Sequence, residues 1–104
     1  MSENVDYTVI ISVAALSMLD SHIDFLAKVN APAATRLMDE ILADIESLSS
    51  FPQRFPFYDN QFIPDNRYRR MLSAKRYLVI YEIDMAIVNI DYIVDCRQDY
   101  EWLL

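Results

Sequence analysis

The stretch Tyr77-Leu78-Val79-Ile80-Tyr81-Glu82-Ile83-Asp84-Met85-Ala86-Ile87-Val88-Asn89-Ile90-Asp91-Tyr92-Ile93-Val94 decides the fold. Its first half sets Tyr77, Val79, Tyr81 and Ile83 on one face of a strand, and its second half sets Val88, Ile90, Tyr92 and Val94 together. β-Branched and aromatic residues at period two suit a pleated, half-buried surface. Only Asp84-Met85-Ala86 separates the halves, which predicts an antiparallel hairpin. Upstream, Arg67 to Leu72 reads as a further extended segment after Asp65-Asn66. Before it, Phe51-Pro52-Gln53-Arg54-Phe55-Pro56-Phe57-Tyr58 reads as a loop with aromatic anchors, because its prolines suit neither helix nor central strand.

Two helical patterns precede that loop. Leu37, Ile41, Ile45 and Leu48 make one apolar stripe, with Pro32 in the first turn and Asn30 able to cap it. Leu16, Leu19, Ile23 and Leu26 make another, ending near Asn30, so the helices are predicted to form an antiparallel hairpin whose stripes face a common sheet. Asp39, Glu40, Asp44 and Glu46 lie off the stripe and read as a solvated face, with Arg36 and Glu40 spaced for an i,i+4 pair. At the N-terminus Val5, Tyr7, Val9 and Ile11 alternate with Asp6, Thr8, Ile10 and Ser12 as a first strand that has to join the later ones. The expected fold is therefore α+β in the order β-α-α-β-β-β, a mainly antiparallel sheet with a helical hairpin packed on one face.

The 104 residues are expected to form one domain, 1–104, large enough to bury a core without metal or disulfide support. The single cysteine, Cys96, cannot form an internal disulfide and fits a reducing, cytoplasmic setting. Val9 to Leu19 is interrupted by Ser12 and Ser17 and is too short to span a bilayer, so neither a targeting segment nor a membrane partner is expected. The chain has no glycine, which excludes Gly-rich phosphate loops, the dinucleotide fingerprint and the Walker A loop. Turns that need a positive φ are then expected at Asn or Asp, with Asn30, Asp59-Asn60, Asp65-Asn66 and Asp84 as candidates. His22 is the only histidine and has no second histidine or paired cysteine, so it reads as a packing residue; neither a metal nor another cofactor is expected.

The net charge of -7 is unevenly spread. Residues 1–66 hold ten acids and three bases, residues 67–76 hold five bases and no acid, and residues 77–104 hold six acids and one base. Arg67, Arg69, Arg70, Lys75 and Arg76 thus form a basic strip in an acidic chain. On an extended segment Arg67 and Arg69 point to one face and Arg70 to the other, beside Tyr68. Two readings of the strip stand side by side. It binds an anion, because arginine is a planar and permanent donor to phosphate or carboxylate; or it neutralises acids such as Asp65, Asp95 and Glu101 across the sheet.

The order of elements, the Phe51-Pro52 loop, Arg67 and Arg70 ahead of Tyr77 to Tyr81, the strand Val88 to Ile93 and the ending Arg97-Gln98-Asp99-Tyr100-Glu101 together resemble the RelE/ParE superfamily of type II toxin–antitoxin, or plasmid stabilisation, systems. The resemblance implies a small cytoplasmic toxin held inactive by a cognate antitoxin, as a homodimer or within a toxin–antitoxin hetero-oligomer. It also implies one of two activities. RelE-like members cut mRNA on the ribosome by helping the 2′-OH attack the adjacent phosphate, and ParE-like members inhibit DNA gyrase without enzymatic chemistry; a degenerate member would bind only its antitoxin. For cleavage, the resemblance places Arg70 and Arg97 on the scissile phosphate and Tyr100 as the proton-transfer group, with Arg67, Arg69, Lys75 and Arg76 as further RNA-binding cations. The chain departs from the family in carrying Cys96 where a C-terminal glycine is usual, and in its acidic balance, which opposes approach to RNA.

Overall fold

The computed structural model describes residues 6–58 and 66–96. Among them are β1 (Thr8–Ile11), α1 (Val13–Ala27), α2 (Ala31–Glu46), two 3-10 turns (Ser47–Ser49 and Pro52–Arg54), β2 (Tyr68–Ser73), β3 (Tyr77–Asp84) and β4 (Ile87–Asp95). The sheet order is β1-β4-β3-β2. β1 runs parallel to β4, and the other two pairings are antiparallel. The expected α+β order holds, and the first strand finds its place at the edge away from β2.

Both helices begin on side-chain caps. Ser12 Oγ accepts from Ala15 N–H at 3.0 Å, and Asn30 Oδ1 accepts from Ala33 N–H at 3.1 Å, each satisfying an amide that has no intrahelical partner. In α2 Ile41, Ile45 and then Leu48 are buried as expected, Leu37 is half-buried, and Ala34 is buried with them. In α1 the buried residues are Ala15 and Leu19, and Leu16 turns outward. Both stripes pack on one sheet face, where Val9, Ile11, Met71, Tyr77, Val79, Tyr81, Val88, Ile90 and Ile93 complete the main core. Asp44, expected to be solvated, instead accepts a hydrogen bond from the buried Ser73 Oγ at 2.6 Å and ties α2 to β2. Arg36 and Glu40 form no ion pair with each other.

One departure changes which side chains each face receives. Tyr81 pairs with Ile90 but Ile80 pairs with Tyr92, so β4 carries one extra residue, Asp91, in a bulge. Simple alternation puts Tyr92 and Val94 with Val88 and Ile90. With the bulge, Ile93 takes the core position and Tyr92 and Val94 pass to the opposite face. That distal face is only partly open. Tyr58, Ile80 and Val94 are buried there, with Tyr68, Leu78 and Met18 packed around them.

The expected restriction of positive φ to Asn and Asp is also corrected. Asn66 has φ 61°, but Phe51 (47°), Ala74 (56°), Lys75 (59°) and Met85 (57°) take it too, while Asn30 is extended at -155°. Asp84 does not take it, its neighbour Met85 doing so instead, and Asp59, Asn60 and Asp65 lie outside the described residues. Each L-residue with a side chain costs about 1 to 2 kcal/mol in this region relative to glycine. Short hairpin connections impose it at Ala74, Lys75 and Met85. In the β2–β3 turn Arg76 N–H returns to the Ser73 carbonyl at 3.1 Å. No helix among the described residues is long and apolar enough to cross a membrane.

Met85 is 90% exposed in the β3–β4 turn, so its side chain gives the core almost nothing to offset its backbone strain. Met85→Gly is expected to raise the unfolding free energy by about 1 kcal/mol, read from the urea midpoint.

Candidate functional site

The five cations of the basic strip have different surroundings. Arg69 lies on the helix side of β2. Its Nη1 donates to the carbonyls of Gln53 at 3.1 Å and Phe55 at 2.7 Å, and its guanidinium stacks 3.9 Å from the Phe57 ring centroid. It holds the proline loop against the sheet. Arg76 donates from Nε (3.2 Å) and Nη2 (3.0 Å) to Asp95 Oδ2, whose residue is only 2% exposed. Asp95 is buried because the bulge turns it inward, and Arg76 compensates its charge. This pair is one of those expected from neutralisation across the sheet.

Arg67 precedes β2 and does not share a face with Arg69. Positive φ at Asn66 leads into it, and its side chain lies on the distal face, 5.3 Å from the Tyr68 ring centroid, with Nε bonded to Glu82 Oε1 at 3.2 Å. That contact raises its pKa still further, so it remains charged. Two cations remain. Arg70 points from the distal face, as expected, and Lys75 stands in the β2–β3 turn. Both are exposed, and neither side chain has a hydrogen bond or ion pair among the described residues.

Around Arg70 the distal face is aromatic and acidic. Tyr68 and Tyr92 meet at 6.5 Å between ring centroids. Burial, reinforced by the Asp91 carboxylate, pushes the Tyr68 phenol up to about 12. It is therefore protonated at neutral pH and is no proton acceptor. Glu82, opposite Tyr68 in the sheet, is occupied by Arg67. His22 stands edge-on to Tyr77, 5.5 Å between centroids, on the helix side. Arg97 and Tyr100 lie outside the described residues, and no cluster of metal-ligating side chains occurs among the described ones. The described part of the face offers one unpaired guanidinium among aromatic and acidic neighbours, an arrangement suited to recognition. Sequence alternation could have placed Glu82, Tyr68 and Asp91 on this face; Tyr92 arrives there through the bulge, which no sequence signal announced.

The division between bound and free cations has measurable consequences. Arg76→Ala removes a charged hydrogen-bond donor from a buried carboxylate and is expected to cost about 2 kcal/mol of stability. Arg70→Ala is expected to change stability by less than about 0.5 kcal/mol; urea denaturation of both variants checks the contrast. The raised Tyr68 pKa means that folding favours the neutral phenol. Its contribution is complete below pH 10 and is lost as pH rises through about 12. Phenolate absorbance should show late-titrating tyrosines, because burial pushes Tyr81 up to about 12 as well, and Tyr68→Phe should remove one of them.

Residues 9–100 match the family model described as the ParE toxin of the type II toxin–antitoxin system parDE. No curated protein sequence matches the chain. The solved structure of a chromosomal ParDE toxin–antitoxin system from P. aeruginosa is similar in fold, with a TM-score of 0.72 at 13% identity over 86% of this chain and 95% of that one. The match over most of the chain shows that it belongs to the ParE toxin family of type II toxin–antitoxin systems.

Proposed function

We propose that this chain acts as a toxin by binding and inhibiting a protein, with DNA gyrase as the target, and that a cognate antitoxin restrains it. The observation that carries this reading is the distal face itself. Its one unpaired cation in the sheet among the described residues, Arg70, shares the face with Glu82 and Asp91, and the phenol beside them stays protonated. A surface of aromatic rings, one free guanidinium and acids has the composition of a protein-recognition patch. RNA cleavage calls for a proton acceptor and several cations on one phosphate. Arg69 and Arg76 are committed to the chain's own carbonyls and to Asp95 and are not available for that purpose. The ParE family match and the net charge of -7 favour the same choice.

Induction without antitoxin is expected to arrest growth with an SOS response while translated mRNAs stay intact. The purified chain should slow gyrase supercoiling. Transcripts cut within codons, together with unimpaired gyrase, would reverse the assignment.

A further inference from the structure

β2 forms an edge of the sheet. On its outer side Tyr58 N–H donates to the Tyr68 carbonyl at 2.7 Å and Arg70 N–H donates to the Pro56 carbonyl at 3.1 Å. The backbones of Tyr68 and Arg70 therefore point away from β3, and strand alternation extends the same orientation to Leu72. The loop covers the edge only as far as Arg70. Among the described residues no group bonds the N–H or C=O of Leu72. The Leu72 side chain is 60% exposed on the distal face, next to Arg70, and Lys75 stands in the turn just beyond. An exposed leucine with unbonded backbone groups thus lies between the two unpaired cations of the strip.

We infer that the β2 edge from Arg70 to Lys75 receives an extended segment of a partner protein as an added strand, and that this segment carries the pattern acidic, any, apolar, any, acidic. Backbone groups of the incoming strand bond Leu72, and its apolar residue sits across from the Leu72 side chain. The residues two positions away on the same face then come opposite Arg70 and Ala74. A carboxylate opposite Ala74 is within reach of Lys75.

Charge selects this occupant over a second copy of the chain. Two β2 edges paired about Leu72 would set Arg70 of one against Lys75 of the other, with no carboxylate between them. A nucleic acid would meet the cations but would leave the Leu72 N–H and side chain unmatched. The inference rests on the protein-directed reading above for the nature of the partner. The rival account is that basic residues beside a bare edge serve to repel strands.

The test uses the full chain and a labelled synthetic peptide of about nine residues, long enough for one strand. A central isoleucine is flanked at two positions on either side by glutamate, with threonine elsewhere. Saturable binding by fluorescence anisotropy is expected, with slower amide exchange at Leu72. Arg70→Glu with Lys75→Glu should weaken binding by at least about tenfold. Leu72→Pro, which removes only an outward N–H and leaves the β3 ladder intact, should also weaken it by about tenfold. Moving the glutamates one position along, onto the other strand face, should have a similar effect. Absence of saturable binding, or equal affinity for all variants with unchanged circular dichroism, overturns the inference and favours strand repulsion. A chain that fails to bind the peptide yet still inhibits gyrase refutes the added strand alone; one that binds as expected yet leaves gyrase untouched refutes the target alone.

Discussion

Ser12 joins three elements where β4 takes in its extra residue. Its N–H donates to the Ile90 carbonyl at 2.9 Å, its Oγ–H reaches the Asp91 carbonyl at 3.3 Å, and the same oxygen caps α1 by accepting from Ala15 N–H. The end of β1, the start of α1 and the bulge are thus fixed by one small side chain. The bulge matters because side chains alternate with period two, so one added residue moves everything after it to the other face. Ile93 enters the core, Asp95 becomes buried against Arg76, and Tyr92 and Val94 go to the distal face. The aromatic part of the candidate site and the stabilising ion pair both follow from that shift.

The distribution of positive charge follows the same logic. An acidic chain that concentrates its bases in one segment can spend them on architecture or on a partner, and this one does both. Arg69 closes the proline loop onto β2, Arg76 neutralises the inward carboxylate, and Arg67 pairs across to Glu82. Arg54 does comparable work outside the strip, with Nη1 donating to the carbonyls of Ser47, Ser50 and Phe51 at 3.3, 2.6 and 3.1 Å. Arg70 and Lys75 remain available because their places, an exposed strand position and a turn, bring no acceptor within reach among the described residues.

Much of the fold could be read from periodicity, because the apolar residues of β3 and α2 repeat with the spacing of their elements and those elements are regular. Asn30 and Pro32 announced the start of α2 through the needs of its first turn. The misreadings have specific causes. The bulge at Asp91 has no residue-type signal, since Asp in a strand looks the same whether paired or extra. Positive φ at Ala74, Lys75 and Met85 is imposed by hairpin closure against local preference, in a chain with no glycine to absorb it. The basic strip was visible as charge, but which cations would be free depended on contacts made across the fold: Arg69 with Gln53 and Phe55, and Arg76 with Asp95.

The parallel pairing of β1 with β4 also sets a schedule for synthesis. Ser12 and Asp91 are 79 positions apart in the chain. At roughly 5 to 20 residues per second, about 4 to 16 s pass between their additions to a growing chain. Until β4 emerges, the apolar stripes of α1 and α2 have no complete sheet to cover, and β1 has no strand to join. Folding therefore cannot finish from the N-terminus inward, and such long-range closure is slow compared with local pairing. A chain released early, before β4 is made, lacks the strand that organises both faces, so incomplete synthesis yields no smaller working version of the protein.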